Sequence, residues 1–359
     1  MIGVAIIGAG IGALHLKGYR ALPERYAVKA ICDLDQERAR KLVEDDPSIR
    51  VTASLDEVLA DESISLIDIC LPPHLHFPVA LQAHAAGKDV ICEKPLVRSL
   101  EEANALLLSV KNTGRQVFPV FQYRFGHAMR QLRALIDAGL AGKAFVASSE
   151  VHWNRGADYY SIPWRGTWKG ECGGATLGHA IHAHDLICHV LGPVEEVFAF
   201  ADTRVNTIET EDCAAISLRM KSGALVTSSV TLGAGNDTSR LRFCFEGLTA
   251  ESGTKPYAPA EDTWRFTARA PTTQEEIDAV LAKVGTGLDG FAGFLEAIAD
   301  AVEGQGGNEV TVADGLRSIE LVTAIYKSVR QGQPVRLPLT SDDDLYKGWA
   351  PQAPVLREA

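Results

Sequence analysis

Five short, nearly unbroken apolar runs fall within the first 121 positions, at 2–7, 28–32, 66–71, 89–92 and 117–121. Runs that are apolar throughout, rather than alternating, belong to strands covered on both faces. Helical patterns separate most of them. Asp35 stands where it can cap a helix carrying Ala39, Leu42 and Val43, and Ser54 with Glu57 and Ser99 with Glu102 both read as S-x-x-E capping boxes. Doubly covered strands that alternate with capped helices call for right-handed βαβ crossovers. Residues 1–122 are therefore expected to form a doubly wound, parallel α/β sheet.

The pattern changes after residue 125. A helix over 129–138 ends at Gly139, and the runs 144–153, 195–203, 212–220, 224–232 and 240–246 follow, joined by turns such as Lys221-Ser222-Gly223. Strand after strand predicts an α+β domain over 123–359 with a large, mostly antiparallel open sheet. One helix interrupts it near 174–191. Two more follow, one presenting Phe291, Phe294, Leu295, Ile298 and Val302, the other Leu316, Ile319, Val322, Tyr326 and Val329. Residues 253–289 are polar and irregular and read as a mobile loop.

Composition narrows the partners. Lys and Arg number 35 against 46 Asp and Glu, a formal net charge of −11. A phosphate backbone calls for the opposite sign, so no nucleic acid partner is expected. No apolar run approaches the roughly 18–20 residues that cross a bilayer, so no membrane partner is expected. The apolar start lacks a basic leader, which points to a cytoplasmic protein. The seven cysteines are scattered with no CxxC pair, so no disulfide framework and no metal site are expected.

The first strand runs into Gly8-Ala9-Gly10-Ile11-Gly12, with Ala13 following. Such a loop lets the backbone approach a pyrophosphate closely, and the next helix points free N–H groups at the anion. The third glycine arrives one residue earlier than in the GxGxxG spacing. Asp33 ends the second strand, 25 positions after Gly8, where a carboxylate can take the ribose hydroxyls and repel a 2′-phosphate. Since Asp35 suits the helix cap, Asp33 is left for the ribose, and NAD is expected in preference to NADP.

Strand three ends at Leu71-Pro72-Pro73 and strand four at Glu93-Lys94-Pro95, both at the carboxyl edge where ligands bind in this architecture. A lysine between an apolar strand and a proline is held rigidly, and its ammonium can take part in proton transfer. Gly8-Ala9-Gly10, His15, Pro72-Pro73 with His76, and above all Glu93-Lys94-Pro95, together resemble the Gfo/Idh/MocA family, named for glucose-fructose oxidoreductase, inositol dehydrogenase and rhizopine catabolism. The resemblance covers nearly the whole chain. It implies a Rossmann domain followed by an α/β domain, with NAD(P) as cofactor. Leu71, Pro72, His76, Glu93 and Lys94 then join the glycine loop and Asp33 at the cofactor, and Lys94 is catalytic.

Residues 173–192 carry His179, His182, His184, Asp185 and His189. On a helix His182 and Asp185 share a face, and an imidazole there can serve as general base for an alcohol proton. The resemblance makes His182 catalytic and matches Asp185 to the acid that follows it. The family's leading acid is replaced by Gly178, for which His179 is the nearest substitute. The preceding stretch holds Trp153, Asn154, Arg155, Tyr159, Tyr160, Trp164, Arg165 and Trp168. Aromatic faces stack on sugar C–H faces, and Arg and Asn bond hydroxyls. By the resemblance, Tyr123, Arg124, Trp164, Arg165, His179 and Asp185 contact substrate.

The expected activity is hydride transfer between a carbinol carbon of a sugar, sugar derivative or cyclitol and nicotinamide. The expected assembly is a homodimer or homotetramer. Two alternatives remain open: a glycoside-cleaving or epimerising enzyme that oxidises transiently, and a non-catalytic dinucleotide sensor.

Overall fold

The computed structural model describes residues 1–351; residues 352–359, the end of the expected second domain, lie outside the described residues. The chain divides into two compact units. The first holds Met1–Val97, Glu102–Gln122 and Leu288–Leu316, and the second holds Arg98–Glu101, Tyr123–Gly287 and the described residues from Arg317.

The first unit is built on a parallel sheet of β1 (Ile2–Ile7), β2 (Tyr26–Cys32), β3 (Arg50–Thr52), β4 (Leu66–Ile69), β5 (Asp89–Cys92) and β6 (Val117–Pro119). The strand order is β3-β2-β1-β4-β5-β6, which reverses direction between β1 and β4 and opens a ligand crevice at their carboxyl ends. Every residue of β1 and β4 is buried, as their unbroken apolar runs require. The edge strand β3 escapes a sequence reading because it is three residues long and starts on exposed Arg50.

The crossover helices include α1 (Gly12–Arg20), α2 (Gln36–Leu42), α3 (Leu55–Leu59), α4 (His76–Ala85) and α5 (Leu100–Thr113). Asp35 caps α2 by accepting the Arg38 N–H at 3.0 Å, as expected. Ser54 accepts the Glu57 N–H at 3.2 Å, but the Glu57 carboxylate takes the Thr52 hydroxyl at 2.7 Å, so only half of that capping box forms.

The second unit carries an eight-stranded sheet: β7 (Ala144–Asn154), β8 (Val194–Asp202), β9 (Cys213–Met220), β10 (Leu225–Thr231), β11 (Gly233–Phe245), β12 (Leu248–Glu251), β13 (Arg265–Ala268) and β14 (Val335–Arg336). Its order is β13-β12-β11-β7-β10-β9-β8-β14, antiparallel throughout except for the β7–β10 pair. Alternate residues of β9 and β10 turn inward, and Ile216, Leu218, Val226 and Val230 join Leu186, Ile187 and Ile325 in one core. The helices of this part include α6 (His127–Asp137), α7 (Trp168–Glu171), α8 (Ala175–Gly178), α9 (Ile181–Leu191) and α10 (Gln274–Leu281).

Three expectations are corrected. The single helix over 174–191 is two, because the N–H groups of both His179 and Ala180 converge on the Ala175 carbonyl and end α8 before α9 begins. Residues 253–289 are not one loop: they hold β13 and α10, and Thr273 with Glu276 forms a full capping box that opens α10. The helix bearing Phe291, α11 (Gly290–Val302), belongs to the first unit. There the Tyr26 hydroxyl donates to the Leu295 carbonyl at 2.6 Å, and Arg25 pairs with Asp300 at 2.8 Å. The last helix is α12 (Val312–Gln331). No described helix is long and apolar enough to cross a membrane.

Packing of α11 on α1 depends on Gly18, where a Cβ would lie 2.4 Å from Phe291 Cδ1. Gly18→Val is expected to destabilise the protein by about 1–3 kcal/mol, the usual range for overpacking. Chemical denaturation checks it, and the paired change Gly18→Val with Phe291→Ala should recover part of the loss.

Candidate functional site

The glycine loop closes the crevice between β1 and β4, and its three glycines do different work. Gly8 adopts φ +107°, and a Cβ there would sit 2.4 Å from the Cys70 carbonyl oxygen. Gly12 begins α1, where a Cβ would meet Ile6 Cγ2 at 2.7 Å. A Cβ on Gly10 meets nothing within 4 Å, so the space over Gly10 is open to a ligand that approaches the backbone. Ile11 beside it is exposed, and no side chain caps the first turn of α1. Open backbone at an uncapped helix start suits a pyrophosphate. Ala9 differs from its neighbours, since its N–H is committed to Asp33 Oδ2 at 2.6 Å.

Asp33 is not the free acid the sequence suggested. It also accepts the Asp35 N–H at 2.7 Å, and Arg38 reaches both carboxylate oxygens at 3.0 and 2.9 Å. Burial pushes this carboxyl up, but the two backbone donors and Arg38 outweigh it and hold it below the usual Asp range. Arg38 is half-exposed and went unmarked in the sequence, although its place in the first turn of α2 brings it back over the end of β2.

The carboxyl edge of β4 and β5 is tied together by imidazoles. His15, from α1, lies 2.9 Å from Asp68 Oδ2 through Nδ1 and 3.1 Å from Glu93 Oε1 through Nε2. The Tyr19 hydroxyl donates to Asp68 at 2.9 Å, and Glu93 Oε2 accepts the Lys94 N–H at 3.0 Å. Burial lowers the His15 pKa, but Asp68 and Cys70 outweigh it and raise it well above 6.5. Cys70 Sγ lies 3.3 Å from His15 Nδ1, and burial pushes its thiol up. His15, Asp68 and Cys70 are the one cluster among the described residues with metal-ligand atoms this close, and hydrogen bonds within the cluster account for the spacing. His76 sits with Nδ1 2.8 Å from the Pro95 carbonyl and Nε2 2.7 Å from that of Leu71. Its ring is thus engaged by the two loops it joins, and burial lowers its pKa more than those carbonyls raise it.

In the second unit Tyr123 stacks on His182, ring centroids 4.3 Å apart. Arg124 and Asp185 form a buried two-pronged pair at 2.7 and 2.6 Å, so the structure joins these two expected substrate residues to each other. His179 meets the Trp153 ring edge-on at 5.4 Å and the Tyr159 ring at 5.8 Å. The Arg165 guanidinium lies 3.9 Å from the centre of Tyr159 and 4.8 Å from that of half-exposed Trp164. Arg155 faces Trp153 and Tyr159, pairs with Asp237 at 3.0 Å and donates to the Tyr257 hydroxyl at 2.6 Å. His184 points elsewhere, to the Ser228 hydroxyl at 3.0 Å, and burial lowers its pKa to about 4. A Cβ on Gly178 would meet nothing within 4 Å.

Sequence reading missed Asp237, Tyr257 and Glu211. The buried Glu211 carboxylate accepts the N–H groups of Gly174 and Thr176 at 3.1 and 3.0 Å and so starts α8. Asp68 was findable: an acid inside the buried run Leu66-Ile67-Asp68-Ile69 has to be paired.

Comparison with known proteins places these features. Residues 2–121 match an oxidoreductase family with an NAD-binding Rossmann fold, and residues 129–251 match a GFO/IDH/MocA C-terminal domain. Myo-inositol 2-dehydrogenase of Thermotoga maritima is 26% identical over 230 residues, covering 62% of this chain and 66% of the relative. Levoglucosan dehydrogenase of Pseudarthrobacter phenanthrenivorans is 29% identical over 212 residues, 56% of this chain and 54% of the relative. The WlbA dehydrogenase of Bordetella pertussis, solved with NADH and UDP-GlcNAcA, superposes with a TM-score of 0.83 at 26% identity, covering 94% of this chain and 99% of that one.

The glycines separate binding from folding. Gly10→Ala is expected to leave stability within about 0.5 kcal/mol, as for other exposed positions, while weakening NADH at least about tenfold, because its methyl fills the open space. Gly12→Ala should lower stability by about 1–3 kcal/mol through its clash with Ile6. Thermal unfolding and NADH fluorescence titration measure the two effects separately.

Proposed function

Because this chain belongs to the GFO/IDH/MocA oxidoreductase family, we propose that it is an NAD-dependent dehydrogenase acting on a CH–OH group of a sugar, sugar derivative or cyclitol. The observation that most supports this reading is the Glu93-Lys94-Pro95 segment, held by hydrogen bonds at the carboxyl edge of the sheet that carries the glycine loop. When bound, NAD supplies the two-electron acceptor. Gly8, Gly10, Ile11 and Gly12 hold its pyrophosphate, Asp33 its ribose, and Leu71, Pro72 and Glu93 line the same edge.

Lys94 and His182 handle the proton of the reacting hydroxyl. Tyr123 fixes the His182 ring by stacking, and the Arg124–Asp185 pair anchors α9 beneath it. The aromatic and arginine cluster of Trp164, Arg165, Tyr159 and His179 suits a polyol ring. Relatives that act on inositol or levoglucosan, or bind UDP-GlcNAcA, support that substrate class. A homodimer or homotetramer is the matching assembly, with Phe200 and Leu225 exposed on the open face of the eight-stranded sheet. The expected compartment is the cytoplasm.

A panel of sugars, cyclitols, sugar nucleotides and glycosides with NAD⁺, followed at the reduced-nicotinamide absorbance, tests the reading. NADH accumulation with at least one of them is expected. Product without NADH would instead assign transient oxidation, and no turnover with intact NADH binding would favour a sensor. Lys94→Ala should abolish turnover while keeping NADH affinity within about threefold, and wild-type turnover in this variant would remove the lysine from the chemistry. Asp33→Ala should weaken NAD far more than NADP, since it also frees Arg38 for a 2′-phosphate. Equal losses for the two nucleotides would contradict the preference.

A further inference from the structure

The Glu93-Lys94-Pro95 segment is gripped at both ends by buried histidines that come from different helices. At its start, His15 of α1 reaches Glu93 Oε1 at 3.1 Å, and the other oxygen of that carboxylate accepts the Lys94 N–H at 3.0 Å. At its end, His76 of α4 reaches the Pro95 carbonyl at 2.8 Å, and its second nitrogen reaches the Leu71 carbonyl at 2.7 Å. His15 is 2% exposed and His76 is 1% exposed. Each imidazole is also secured from behind. His15 is held by Asp68, which receives the Tyr19 hydroxyl, and its ring lies 4.2 Å from that of Phe291. His76 is held by the turn that follows β4. The two rings therefore brace the lysine loop against α1, β4 and α4 at once.

We propose that His15 and His76 are paired positioning residues that fix Lys94 of the β5 edge by clamping the residues on either side of it. The inference rests on the reading of Lys94 as the proton-handling group. The sequence also puts His76 at the cofactor; in the structure both of its ring nitrogens lie against the loop carbonyls. A neutral imidazole has one N–H for its two carbonyl neighbours, and only the imidazolium donates to both. Burial opposes that charge, so the His76 end of the clamp is the weaker one. The His15 end is charge-assisted by two carboxylates and is the stronger one.

Competitive trace acetylation of the amines, read by mass spectrometry on the NADH-loaded full chain, measures the reactivity of Lys94 against pH without a known substrate. In His15→Gln the apparent Lys94 pKa is expected to move by about one unit, a roughly tenfold change in reactivity at fixed pH, and His76→Gln should move it less. NADH affinity should stay within about threefold in both. With the best substrate of the panel, kcat should fall at least about tenfold while KM changes little. If His15→Gln does not fold, His76→Gln and Glu93→Gln carry the test. An unchanged Lys94 titration and unchanged kcat in folded variants, with Lys94→Ala inactive, overturns the clamp alone. Retained turnover in Lys94→Ala overturns the reading beneath it.

Discussion

A fully buried imidazole between two carboxylates organises the first unit. Asp68 lies in the middle of β4, a strand with no exposed residue, and a carboxylate there is tolerable only if its charge is met. His15 meets it from α1 and extends the pairing to Glu93 at the end of β5. Three elements are thereby locked where the strand order reverses. Breaking one partner of such a buried pair costs about 3–5 kcal/mol. The His15 pKa is raised on folding, so its contribution is complete below the unfolded value of about 6.5. It fades only as pH rises through the higher folded value. The link between α1 and β5 is thus intact at neutral pH.

The second unit uses the same device. Glu211 takes the N–H groups that start α8, and burial raises its pKa against those donors. Asp212 beside it is fully buried and accepts the N–H groups of Arg204, Val205 and Asn206. The Arg124–Asp185 fork then ties the segment after β6 to α9, and Tyr123 reaches His182 as its stacking partner. Charges that a sequence reading assigns to ligands can be consumed in holding the residues that meet them.

The strands were legible because burial on both faces leaves an unbroken apolar run, as in 2–7 and 66–71, and because the alternation in β9 and β10 records a sheet with one wet face. Family membership was legible in Glu93-Lys94-Pro95 and the glycine loop. What escaped depends on tertiary partners. The α8–α9 break arises from two N–H groups sharing one carbonyl, which no local periodicity records. The placement of α11 follows from a missing side chain at Gly18, distant in sequence. Arg38 and Asp237 are ordinary surface charges until the fold sets them against Asp33 and Arg155. Strand β13 and helix α10 lay inside a stretch whose polarity hid them, though the Thr273–Glu276 capping box was there to be read.

The protonation state of His15 is the most direct measure of this account. Nitrogen NMR of ring-labelled histidine, assigned through a His15→Gln spectrum, reports each ring nitrogen separately. Two protonated nitrogens are expected at His15, with imidazolium shifts that persist as pH rises past the usual value of about 6.5. One unprotonated ring nitrogen at pH 7 would mean that no cation bridges Asp68 and Glu93, and the loop carrying Lys94 would have to be held by something else.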